Sequence, residues 1–267
     1  MAKVAKPKPS VKDRIKLPPE FDEISWTIVG IDPSLSRTGL AIMDNNKDTY
    51  TWTAINSLKP DDSKAPSWIR SVMMANYITE SVLKNGAMDA GLIIVMEAPT
   101  PGNDYLNTIN KIIHAKVLSE IRDRSDYSKI CVMHVNAMTM RSCLGLTAKG
   151  NNKHENIAKS HDYAPADDFP GIDSDACDAI LLAQFGRYLS DMLMGKEIDD
   201  VPDKISAALF DFTDVKKGKG RNERMVKKGI IYNPAYWFVF APTVYSISVK
   251  DARVPPKKRL TKITVTI

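Results

Sequence analysis

At 267 residues, with 43% hydrophobic and 26% charged residues, the chain has the composition of an ordinary globular protein, either one domain with an extension or one large and one small domain. Its net charge of +5 is modest and favours an anionic partner only where cations cluster, which they do near the N-terminus, over 216–228 and over 257–262. Three cysteines without metal-ligand spacing, Cys131, Cys143 and Cys177, exclude a disulfide scaffold; with no secretory apolar region and no stretch of membrane-spanning length, a soluble cytoplasmic protein with no membrane partner is expected.

Residues 1–25 open as a basic, proline-bearing arm. Such a segment reads equally as a solubilising tail or as a source of sequence-independent phosphate contacts. From Trp26 the pattern becomes regular. An apolar run, Ile28 to Ile31, delivers Asp32; residues 33–39 turn the chain, and Leu40 to Met43 run apolar again, as in a hairpin. Residues 49–57 alternate like a third strand. Residues 67–83 then place Ile69, Val72, Met73, Ile78 and Val82 at helical spacing, and Asn85-Gly86 ends that helix. Leu92 to Met96 is a buried-strand run that ends in Glu97.

The next predicted helix follows Asp104, a candidate cap, and carries Leu106, Ile109, Ile113, Val117 and Ile121 as one apolar stripe. Residues 130–135 form another strand. Residues 139–156 read as polar and irregular, residues 156–161 as a short helix, and residues 173–194 as the last clear helix, with Asp173 as its cap. After about residue 196 a basic, glycine-spaced run over 216–228 precedes strand-like segments over 230–240, 243–250 and 260–267. The order β-β-β-α-β-α-β-(α)-α predicts a ribonuclease H-like α/β architecture: a mixed five-stranded sheet flanked by helices over 26–195, with a small β-rich extension over 196–267.

Four acids stand out against this order. Asp32 and Glu97 terminate strands that would be neighbours, while Asp175 and Asp178 share one helix face at i, i+3, near the helix N-terminus. Singly each has a plain structural reading: a turn former, a helix-start acid. Jointly they form an all-oxygen set suited to Mg²⁺ or Mn²⁺, and two such ions about 3.5–4 Å apart serve phosphodiester hydrolysis. The absence of clustered cysteines and paired histidines argues against Zn²⁺.

Gly30-Ile-Asp-Pro-Ser-Leu-Ser-Arg-Thr-Gly39, Val95-Met-Glu97 and Asp175-Ala-Cys-Asp178-Ala179 together resemble the RuvC family of Holliday-junction resolvases. The resemblance covers roughly residues 26–195. It implies a metal-dependent endonuclease of four-way DNA junctions, with Asp32, Glu97, Asp175 and Asp178 as catalytic metal ligands and two Mg²⁺ or Mn²⁺ ions. It also implies DNA contacts from Lys149 and Lys153 and a wedge aromatic, for which Tyr105 is the nearest candidate. A homodimer is implied as well, with the stripe 106–121 either at its interface or packed on the sheet. Ser34 replaces the family's usual glycine, a variant of phage-type members, and the basic tail has no counterpart in bacterial members.

Other readings stay open: a flap or RNA–DNA hybrid nuclease of the same superfamily, or a non-catalytic DNA-binding scaffold with a nuclease-like core. An actin-fold or sugar-kinase ATPase would need a second phosphate hairpin and an adenosine loop, which are missing, so no nucleotide cofactor is expected. In the tail, Lys216, Lys217, Lys219, Arg221 and Arg224 read as a flexible basic loop between strands. It is either solvated or a clamp on duplex arms, since Gly218 and Gly220 oppose a helix.

Overall fold

The computed structural model describes residues 15–16, 25–46, 48–87, 90–98, 104–124, 127, 129–146, 153–194, 214–217, 220, 223–227, 237–240 and 248–249. In chain order the elements are β1 (Ile15–Lys16), β2 (Trp26–Asp32), β3 (Thr38–Asn45), β4 (Tyr50–Leu58), α1 (Ser67–Asn85), β5 (Gly91–Glu97), α2 (Asp104–Arg124), β6 (Lys129–Val135), α3 (Ala137–Cys143), α4 (Lys153–His161), α5 (Ser174–Leu193), β7 (Asp214–Lys217), β8 (Arg224–Lys227), β9 (Trp237–Phe240) and β10 (Ser248–Val249).

The strands β4-β3-β2-β5-β6 form the expected mixed sheet of five, and β9 adds a sixth at the β6 edge. β2, β3 and β4 form an antiparallel meander. β5 joins β2 in parallel and β6 joins β5 in parallel, while β9 runs antiparallel to β6. This meander followed by parallel additions is the ribonuclease H-like arrangement. Two small pairs lie apart from it: β1 with β10, and β7 with β8.

Strand alternation divides the core into two layers. Ile28, Met43, Ile93, Val95 and Met133 pack with α5 on one face. Val29, Ile31, Leu40, Ile42, Leu92, Ile94 and Val132 pack with α1 and α2 on the other. On that second face Ile113, Val117 and Ile121 are fully covered by the chain itself. These three members of the α2 stripe therefore belong to the core.

α5 is seated at three points along its length. At its start, Asp173 caps it by accepting from the Asp175 and Ala176 amides at 3.2 and 3.1 Å, the role expected of that residue. In the middle it lies against Gly30, where a Cβ would stand 2.0 Å from the Ala179 carbonyl oxygen. Near its end Asn45 donates to Ser190 Oγ at 2.6 Å and to Asp191 Oδ1 at 2.8 Å.

Several details differ from the sequence reading. In α1 the buried line is Ser71, Met74, Ala75, Ile78 and Val82, whereas Ile69, Val72 and Met73 are only half-buried. The run Val72-Met73-Met74 leaves the helical phase ambiguous, and the small Ser71 and Ala75 allow the close approach that selects the other face. The stretch read as irregular over 139–156 contains α3, capped by Asn136, whose side chain accepts from the Met138 amide at 2.9 Å. α4 begins three residues earlier than expected, and α2 begins at Asp104 itself. The basic run is not a plain loop. It is an antiparallel hairpin with Lys217 opposite Arg224, and Gly220 adopts φ +59° between the strands. Residues 260–267 lie outside the described residues. Among the described residues no helix is long and apolar enough to cross a membrane.

Candidate active site

Parallel pairing of β2 with β5 sets Ile31 opposite Met96, so Asp32 and Glu97 follow at the same level on neighbouring strands. Alternation puts both on the α5 face, with Ile28 and Gly30 preceding Asp32 and with Ile93 and Val95 preceding Glu97. The start of α5 must come close to this rim for Asp175 and Asp178 to join them. Gly39, which pairs with Asp32, makes that approach possible: a Cβ there would stand 1.9 Å from the Asp175 carbonyl oxygen. The glycines of the hairpin are thus what bring the helix acids to the strand acids.

The electrostatics register the convergence. Asp32 is pushed up to about 8, by burial first and then by the charges of Glu97, Asp178 and Asp175. Contact with Glu97 adds to the rise at Asp32 and opposes the rise at Glu97, as for two carboxyls that share a site. Glu97 is raised by burial and by the Asp178 charge. Asp178 is raised by burial; the Asn156 amide and the Arg141 and Lys153 charges oppose that rise. Such mutual repulsion among buried carboxylates is what a hard cation would relieve.

Asp173, two residues before Asp175, has a different environment. Its Oδ2 accepts from Arg37 at 2.7 Å, and Ser57 Oγ donates to its Oδ1 together with the two amides of the cap. Burial raises its pKa, but these donors outweigh burial and hold it below the usual carboxylate range. Arg37 also stands 3.7 Å from Asp175 Oδ2. The turn, β4 and α5 are therefore tied together at a single carboxylate beside the site.

The acids that could serve a metal at this rim are Asp32, Glu97, Asp175 and Asp178, all hard oxygens. Among the described residues no three such groups stand close enough to enclose an ion as they are placed. The fit rests on the chemistry of the set and on Asn156, whose Oδ1 is buried without a partner next to Asp178.

Of the other residues singled out in the sequence, Lys153 opens α4 and is exposed, near enough for its charge to act on Asp178. Tyr105 belongs to α2; its side chain, with Lys149, Lys219 and Arg221, lies outside the described residues. Lys216 and Lys217 are in β7 and Arg224 in β8. Sequence reasoning missed Arg141 and Asn156, buried residues of α3 and α4, and also Arg37 and Ser57. Asn156 had a readable signal: it lies three residues after Lys153, so a helix begun at Lys153 turns both toward one neighbour.

No protein-family model matches the sequence, and no curated protein matches it. Solved structures similar in chain path include Thermus thermophilus RuvC, at 14% identity and TM-score 0.47, over 65% of this chain and 98% of that one. T. thermophilus RuvC in complex with Holliday junction substrate is 13% identical, with TM-score 0.46, over 64% and 96%. The Mn-soaked human cytomegalovirus terminase nuclease domain is 14% identical, with TM-score 0.37, over 70% and 90%.

Proposed function

We propose that the chain is a divalent-metal-dependent endonuclease of ribonuclease H-like fold that cleaves branched DNA, with the four-way junction as its principal substrate. The observation that supports the reading is that acids from three separate segments face one buried rim, where burial first, and then the charges of Glu97, Asp178 and Asp175, push Asp32 up to about 8. A structural role does not call for such crowding, because buried like charges oppose folding. Asp32, Glu97, Asp175 and Asp178 would hold Mg²⁺ or Mn²⁺, two ions in the full site. When bound, such ions supply the charge that makes water nucleophilic and stabilises the leaving oxygen.

The chain's own residues do the rest. Arg141 and Lys153 offset the charge on Asp178, and Lys153, exposed at the rim, meets a phosphate of the bound strand. Lys149 belongs to the same contact, and Tyr105 supplies the aromatic beside the bases. The hairpin cations Lys216, Lys217 and Arg224, with Lys219 and Arg221, grip duplex arms. The nuclease domain spans 26–195, with the arm 1–25 and the extension 196–267 as additions. A homodimer suits a four-way substrate with two strands to cut. Ser34 is the feature for a phage-type member.

Purified protein is tested on four-way, flap, RNA–DNA hybrid and linear substrates with Mg²⁺, Mn²⁺ or EDTA. Metal-dependent cutting of the four-way junction is expected, with Asp32→Asn, Glu97→Gln and Asp178→Asn each losing at least about 100-fold in rate while still binding DNA. Cleavage of flaps or hybrids alone would redirect the substrate. Binding without cleavage would make the protein a scaffold, and activity in EDTA would overturn the metal reading.

A further inference from the structure

Three acids lie within six residues at the start of α5, and their surroundings set them apart. Asp173 is saturated by Arg37, Ser57 and two backbone amides. Its charge is consumed locally, so it serves to fasten the helix. Asp178 receives one short side-chain hydrogen bond, from Asn156 Nδ2 to its Oδ1 at 2.5 Å. Asn156 is itself 7% exposed, and its Oδ1 is buried without a partner.

We propose that Asn156 is the positioning residue for Asp178: it fixes which carboxylate oxygen faces the metal site without spending the carboxylate's charge. This rests on the metal-dependent reading above. Chemistry favours an amide for this duty. A lysine or arginine in direct contact would neutralise Asp178 and compete with a cation, whereas an aspartate would repel it. An asparagine donates a hydrogen bond and brings no net charge, so Oδ1 of Asp178 is held and Oδ2 is left to be presented.

The backbone supports the assignment. Asn156 lies one turn along α4 from Lys153, on the same face, so one helix offers Asp178 a neutral contact inside and a cation at the rim. Arg141 of α3 is the third influence and also acts through its charge. The Asn156 hydrogen bond adds a direction to these charges. The unpartnered Oδ1 fits the same assignment. A buried amide left half-satisfied costs stability in the isolated protein, and such a group survives where its other half is needed.

The test uses the full chain and Mn²⁺ alone as the probe. Calorimetric titration should show Mn²⁺ affinity reduced at least tenfold in Asn156→Leu, which keeps the shape and removes both polar atoms. Asn156→Ser serves the same comparison if the leucine variant does not fold. In an Asp178→Asn background the Asn156 substitution should change Mn²⁺ affinity by less than twofold, because its effect runs through that carboxylate. On four-way DNA, kcat should fall at least tenfold at low Mn²⁺ and recover as Mn²⁺ is raised, with KM for DNA within twofold. Mn²⁺ affinity in Asn156→Leu within twofold of the parent overturns the proposal. If the parent protein binds no Mn²⁺, the metal reading fails on its own. Metal-free crystal structures then decide for Asn156: its loss must release the Asp178 carboxylate from its present rotamer, and an unmoved carboxylate overturns the positioning role.

Discussion

The two faces of the sheet bury similar sets of aliphatic side chains, yet only one of them ends in chemistry. On the α1–α2 face the contact is side chain against side chain, and the layer closes at its rim with His114 and His134. Their ring nitrogens lie 2.7 Å apart, and both are held below the usual histidine range by burial. Burial therefore favours the neutral form of both imidazoles. On the α5 face glycine replaces side chains at Gly30 and Gly39, so the helix backbone rests on the strand backbone, and the rim carries four crowded carboxylates. Side-chain contacts can give by rotamer adjustment, whereas backbone contacts cannot. The difference teaches that the acids are positioned by main-chain contact, which leaves little slack for the site to lose its geometry.

Breaking that contact should have the largest effect. Gly39→Ala places a methyl where the Asp175 carbonyl oxygen already stands, with no flexible side chain to move aside. We expect a stability loss of about 3 kcal/mol in urea melts. Cleavage should fall by about 100-fold, because a displacement of roughly 1 Å at a reacting centre costs that much.

A second test sharpens the contrast between charged and neutral rims. In metal-free protein burial and the neighbouring acids push Asp32 up to about 8 from the ordinary 3.8. Between these values the folded state holds a proton that the unfolded chain releases, so this group's contribution to stability is present at low pH and is lost as pH rises toward 8. The melting temperature in EDTA should therefore fall between pH 5 and pH 8.5, and Asp32→Asn should remove about 5 °C or more of that fall. A variant whose pH profile overlays the parent's would show that Asp32 is not held up by its neighbours.

The smallest effect belongs to the other face. Ile113→Val removes one methylene from a fully buried α2 contact and should cost about 1 kcal/mol. Cleavage at saturating metal should stay within twofold. A large activity loss there would mean that the two faces are coupled.

The order of elements and the four-acid set were legible because strong periodicities ended in charged residues: apolar runs closing on Asp32 and Glu97, and an i, i+3 pair opening α5. What escaped was what pattern does not encode. The phase of α1 was hidden by three consecutive apolar residues. α3 is short and polar-rich, so periodicity passes over it, although Asn136 was a visible cap, and α4 was read only from residue 156 onward. Asn156 and Arg141 went unseen for the same reason, because their importance comes from facing Asp178 across 22 and 37 residues of sequence. The hairpin of the basic tail was read as a loop because the glycines were taken as flexibility, when Gly220 instead supplies the positive φ of a turn.

The placement of β9 bears on how the chain is made. All five strands of the mixed sheet, and α5, are complete by Leu193, but the partner of the β6 edge does not begin until Trp237. At roughly 5–20 residues per second, the 44 residues between those two positions (237 − 193) take about 2–9 s to synthesise. For that interval the growing chain carries Lys129–Val135, a strand rich in β-branched and sulfur-bearing residues, with its outer backbone groups unpaired. An open, apolar strand edge is a template for any other extended segment. On a crowded polysome, each nascent copy would offer that edge to its neighbours until its own β9 arrives to close it.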